Sequence, residues 1–131
     1  MVRRRLLIVV ALVCALSACQ SFGPPANFER TELYFGLSKP DGRMVTAEQW
    51  QAFVNDEITP RFPAGLSVVD AAGQWRKPDG AIAHEPSKVL LLIHPADTAS
   101  ETAIEVIRTR YRERFQQASV LKVTVPAHAE F

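Results

Sequence analysis

Five side chains of a type suited to holding a small molecule fall close together along the chain. Trp75 and Arg76 precede a Lys77-Pro78-Asp79-Gly80 turn signal, Glu85 and Lys88 follow it, and Arg61 lies a short way upstream. An indole ring stacks on flat groups, and a guanidinium donates charge-assisted hydrogen bonds to anions. Together they would suit an anionic or aromatic small molecule. A hairpin closed at Pro78-Asp79-Gly80 would set Trp75 and Arg76 opposite the Ala83-to-Glu85 region. The competing expectation is structural: Trp75 covers hydrophobic sheet surface while Arg76 and Glu85 pair across the strands.

Other chemistry finds less support. The histidines are His84, His94 and His128. A tight transition-metal site needs three or four converging ligands, and no HExxH or similar spacing occurs. His84 and Glu85 are adjacent, so on a strand they point to opposite faces. His94 is expected as a polar residue ending an aliphatic strand, and His128 belongs to the tail. There is no G-x-S-x-G, and Gly36, Gly42, Gly65, Gly73 and Gly80 are isolated in turns or strands rather than gathered into a phosphate loop. Arg108, Arg110, Arg112 and Arg114 share their segment with Glu105 and Glu113, the pattern of a solvated, salt-bridged helix surface. A formal net charge of +1 with 22% charged residues argues against a nucleic-acid binder relying on bulk charge. No catalytic residue, metal ligand or cofactor is expected.

The first residues read as an address. Arg3, Arg4 and Arg5 are followed by an uncharged apolar run from Leu6 to Leu16. That run is shorter than the roughly 20 residues of a spanning helix and fits the core of a signal peptide. Leu16-Ser17-Ala18-Cys19 resembles the lipobox of bacterial lipoproteins. The resemblance implies that the Cys19 thiol receives a diacylglyceryl group and that cleavage before it removes residues 1–18. Several acyl chains then anchor the protein to the membrane. Gln20 in place of aspartate implies, by the same likeness, the outer membrane and a domain facing the periplasm. Cys14 leaves with the signal and Cys19 is capped, so neither a disulfide nor thiol chemistry is expected. Residues 19–29 read as a tether stiffened by Pro24-Pro25.

The rest, residues 30–126 with a tail at 127–131, reads as one domain. Arg30 to Lys39 alternates as a half-buried strand, and Pro40-Asp41-Gly42 is a turn. Thr46 and Gln49 form a capping box ahead of a helix with Trp50, Phe53, Val54 and Ile58 on one side, ended by Pro60. Leu66 to Ala72 is a second strand, expected to bend near Gly73 and continue to Arg76. The return arm leads from Ala81 into the aliphatic Lys88-to-His94 run. A second helix starts at Asp97 or Thr98, with Thr98 and Glu101 as a capping box and Ile104, Ile107, Tyr111 and Phe115 as its apolar stripe. Ser119 to Val125 is the last strand, closed by Pro126. The order β-α-β-β-α-β predicts an α+β, ferredoxin-like sandwich whose antiparallel sheet carries both helices on one face. The other face must find cover. A homodimer or a ligand pocket there is the expectation.

These segments also carry a family resemblance. Tyr34-Phe35-Gly36-Leu37, Thr59-Pro60-Arg61-Phe62-Pro63 with Gly65, Gly73-Gln74-Trp75-Arg76, Glu85 with Ser87-Lys88-Val89-Leu90, and Tyr111 with Phe115 resemble the bacterial secreted proteins catalogued as domain of unknown function 3574. The resemblance implies export or lipidation and a small α+β domain, with no activity or catalytic residue to carry over. The expectation is therefore a membrane-anchored envelope lipoprotein, a ligand-binding or protein-interaction module for an unidentified small molecule or partner. The alternative is a small dimeric enzyme working on the open sheet face, which rests on fold analogy. Replacing Cys19 by Ala should move the protein from the membrane fraction to a soluble or uncleaved form. A processed Cys19→Ala protein that still needs detergent for extraction would refute the lipobox.

Overall fold

The computed structural model describes residues 27–130, so the stretch expected to be a signal peptide, the expected lipidation site Cys19 and most of the expected tether lie outside it. Strand β1 spans Phe28–Gly36, helix α1 Ala47–Phe53, strand β2 Ser67–Arg76, strand β3 Ile82–Pro95, helix α2 Thr98–Phe115 and strand β4 Leu121–Ala127. The four strands form one antiparallel sheet in the order β2-β3-β1-β4. This is the expected ferredoxin-like arrangement, with both helices packed on one face.

Strand parity decides which side chains meet the helices. Thr31, Leu33 and Phe35 of β1 and Leu90, Leu92 and His94 of β3 are buried beneath α1 and α2. Their neighbours Arg30, Glu32 and Tyr34, and Val89, Leu91 and Ile93, face the other way. Ile104, Ile107, Tyr111 and Phe115 close the core from α2, and Trp50, Phe53 and Ile58 close it from the α1 side. The rings interlock edge to face: Phe35 lies 4.6 Å from Tyr111 and 5.2 Å from Trp50, and Phe53 lies 5.1 Å from Tyr111 between centroids. The Tyr111 hydroxyl donates to the Gly36 carbonyl at 2.8 Å, fastening α2 to the end of β1.

Local signals hold at α1, where the Thr46–Gln49 capping box is formed. Beyond Phe53 the helix widens into a π turn over Val54–Ile58, closed by Thr59 N–H to Val54 O. Arg61 then donates to the Glu57 carbonyl at 2.6 Å and to its carboxylate at 2.9 Å, satisfying a carbonyl that the helix end leaves open.

Several boundaries differ from expectation. β1 starts two residues earlier and ends at Gly36, after which Ser38 bridges Met44. The β2–β3 pairing passes Gly73 without losing register, so β2 runs as one strand to Arg76. Asp97, not Thr98, caps α2 by accepting from Ser100 N–H at 2.7 Å. A carboxylate at this end also suits the helix dipole. Glu101 is thereby released to pair with Lys122 of β4. Pro126 does not close β4, which runs on to Ala127. β4 is an edge strand, the position in a sheet where proline is tolerated. His94 is more than a strand end: it is 2% exposed, with Nε2 2.8 Å from the Thr31 hydroxyl and Nδ1 2.8 Å from Pro95 O. The carbonyl can only accept, so Nδ1 carries the hydrogen. Thr31 in turn lies 2.9 Å from the Thr124 hydroxyl, joining the three strands β3, β1 and β4.

Phe35 touches the rings of both helices, so Phe35→Ala should cost about 3–5 kcal/mol of unfolding free energy in urea titration. A loss below about 1 kcal/mol would mean that the ring cluster does not hold the layers together.

Candidate functional site: a basin on the open sheet face

Opposite the helices, the sheet presents Val69, Trp75, Ile93, Leu121, Val123 and Val125 to solvent, each at least 38% exposed. At one end of this face is a concavity of about 490 Å³. Its floor exists because two strands carry glycine. Gly73 of β2 pairs directly with Glu85 of β3, and Gly36 of β1 pairs with Ser87. A Cβ at Gly36 would sit 2.6 Å from Glu85 Oε1, so only glycine lets the carboxylate cross this strand. Glu85 reaches over it to accept from the Ser38 N–H at 3.1 Å.

The walls come from four parts of the chain. Trp75 stands two residues beyond Gly73, and Tyr34 two residues before Gly36, on the same face. Tyr34 donates to Glu32 at 2.6 Å, and that bond raises its hydroxyl pKa above the ordinary phenol value. Leu121 of β4 and Gln117 from the α2–β4 connection complete the rim. Gln117 Nε2 donates to Ser38 O at 2.8 Å, so Ser38 is held from both sides, by Glu85 and by Gln117. On the opposite side of Gly36, Tyr111 remains a donor. Its burial, and then the Glu85 charge, push its hydroxyl far above the usual range.

Of the five residues singled out in the sequence, the fold brings Trp75 and Glu85 together and separates the others. Arg76 does not face Glu85. It pairs with Ile82 on the helix side of the hairpin, and its guanidinium donates to Gly80 O at 3.1 Å. Glu85 is paired with Gly73 instead, because one residue of parity separates the two faces. Lys88 shares the helix-side parity of Arg76 and forms an ion pair with Asp70. Arg61 serves the end of the first helical segment. Trp75 is 48% exposed and so does not cover the sheet within one chain. Among the described residues lining the basin, Glu85 alone is charged.

Tyr34, Ser38 and Gln117 were not anticipated. An isolated glycine inside an alternating strand, as at Gly36, is a sequence signal for close approach. Gln117 carries no such signal, since the αL cap at Gln116 is what turns the chain there. Among the described residues, no group of three His, Cys, Asp or Glu side chains could hold a metal ion. None of the described helices is long and apolar enough to cross a membrane.

The half-exposed ring makes Trp75→Ala a mild change, expected to cost about 1 kcal/mol or less in a monomeric sample, with Arg76→Ala costing about 0–1 kcal/mol. Chemical denaturation at a concentration where light scattering finds single chains would check both. A Trp75→Ala loss near that of Phe35→Ala would mean the ring is covered after all.

Comparison with known proteins adds a fold and a family. A phage SAM lyase in complex with S-methyl-5'-thioadenosine superposes with a TM-score of 0.58 at 21% identity, covering 77% of this chain and 82% of that one. The same lyase type in its apo state gives 0.55 at 19% identity, covering 79% of this chain and 92% of that one. CutA from Synechococcus elongatus PCC7942 gives 0.51 at 14% identity, covering 79% and 80%. At these identities the likeness is one of fold. None of the curated proteins matches the chain. The family match covers residues 30–131, nearly all of the described domain, and on that ground the chain belongs to the family described as Protein of unknown function (DUF3574).

Proposed function

We propose that this chain is a lipid-anchored lipoprotein of the bacterial envelope, held at the outer membrane through Cys19, whose domain binds a small molecule in the open-face basin. The observation that carries the binding reading is the glycine floor. Gly36 and Gly73 remove side chains on either side of Glu85, leaving its carboxylate accessible between Tyr34 and Trp75. Such a combination of concavity, aromatic walls and one placed polar group is how small-molecule sites are commonly built. The phage lyase of similar fold is described with a nucleoside-sized thioether bound, so a ligand of that size is compatible with this architecture. The anchor rests on the Leu16-Ser17-Ala18-Cys19 motif. A tether of about ten residues reaches at most roughly 33 Å, which keeps the domain close to the bilayer.

A second reading draws on the apolar residues beside the basin. Val69, Ile93, Leu121, Val123 and Val125 would be covered if two copies packed their open faces together. A dimeric enzyme is the less favoured alternative, because Glu85 is the one charged side chain lining the basin among the described residues.

The lipidated protein in detergent, screened by thermal shift against nucleosides, amines, sugars and aromatic acids, should show a saturable rise in Tm for at least one class. Trp75→Ala should abolish that rise. No response to any class, together with a dimer by light scattering, would replace ligand binding by self-association.

A further inference from the structure

We infer that the basin selects an organic cation, an ammonium or sulfonium group carried on a flat or apolar body. The inference rests on the ligand-binding reading above and names the class of molecule the site would take. The positive side chains that the sequence places nearest are all engaged elsewhere: Arg61 with Glu57, Arg76 with the Gly80 carbonyl and Lys88 with Asp70. None of them lines the concavity. What remains is a single carboxylate whose Oε1 accepts from the Ser38 N–H and whose Oε2 has no hydrogen-bond or ion-pair partner among the described residues. An anion placed there would meet Glu85 unshielded, whereas a cation would gain a charge-assisted contact.

The surroundings decide what kind of cation. A metal ion needs several oxygen, nitrogen or sulfur ligands converging on it, and one carboxylate does not supply them. Tyr34 and Trp75 instead offer rings that attract a cation's positive charge and stack on an attached flat group. The glycine floor lets the body of the ligand approach the backbone beside the carboxylate. Leu121 and the small residues Ala118 and Ser119 line the remaining wall without adding a charge.

Three molecules that share one ring and differ in charge test this directly: tryptamine as cation, indole-3-ethanol as neutral compound and indole-3-acetate as anion. Binding to the lipidated wild-type protein in detergent, read by calorimetry, should fall in that order, with tryptamine at least about tenfold tighter than the alcohol. Glu85→Gln keeps the acceptor for Ser38 and removes the charge, so it should erase the gap while leaving indole-3-ethanol unchanged. Gly36→Ala is a second route, because its Cβ must displace the carboxylate, and it should weaken tryptamine selectively. Far-ultraviolet circular dichroism would show that each variant is folded. Equal affinity for all three, or preference for the anion, would overturn the cationic class while leaving a binding site in place. Silence of all three beside a Tm rise from nucleosides, sugars or aromatic acids alone in the wider panel would do the same. Silence of all three with no rise from any class would remove the binding reading as well.

Discussion

The contact between Phe35 and Tyr111, completed by the Tyr111 hydroxyl on the Gly36 carbonyl, is the joint on which the layers meet. It brings the end of β1 under α2 and sets the height at which the chain leaves the sheet toward Ser38. Two consequences follow. The aromatic cluster of Trp50, Phe53 and Phe115 closes around a fixed ring, and Gly36 becomes a thin partition with Tyr111 on one side and Glu85 on the other. Burial holds Tyr111 in its protonated, donating form, and the nearby carboxylate reinforces this. Core and basin therefore share one residue of backbone.

Sheet parity distributes the charges. Lys88 and Arg76 fall on the helix side, Glu85 and Trp75 on the open side, although these residues alternate within two short stretches. Lys122 of β4 likewise turns toward α2, where Glu101 and Glu105 receive it and raise its pKa, the Glu101 bond contributing most. Such partly exposed pairs add little stability on their own. Their effect is to withdraw the cations of β3 and β4 from the open face. That face is left apolar, with Glu85 at one end and the Arg30–Glu32 pair on β1.

A ferredoxin-like sheet with one bare face is a common scaffold, and resemblance to a SAM lyase and to CutA testifies to the scaffold alone. On that scaffold this chain places local features: glycine at positions 36 and 73, a carboxylate between them, and a serine clamped by that carboxylate and by Gln117.

Much of the architecture was legible in the residues. Alternation in β1, the Thr46 capping box, the Ile104-to-Phe115 stripe and the aliphatic run of β3 are local patterns, and local backbone preferences and burial periodicity act on neighbours in sequence. They lead to the element order, and the order leads to the sheet. The candidate site was legible in part. Trp75 and Glu85 were visible as a pair around a hairpin, but whether Arg76 joined them depended on register, where a shift of one residue exchanges the faces. Tyr34, Ser38 and Gln117 arrive from segments far apart in the chain, and no local pattern in Gln117 announces its bond to Ser38. Hydrogen bonds and steric clearances between distant segments exist only once the layers have packed. The elements could therefore be read from the sequence, while the composition and charge of the basin were decided by tertiary structure.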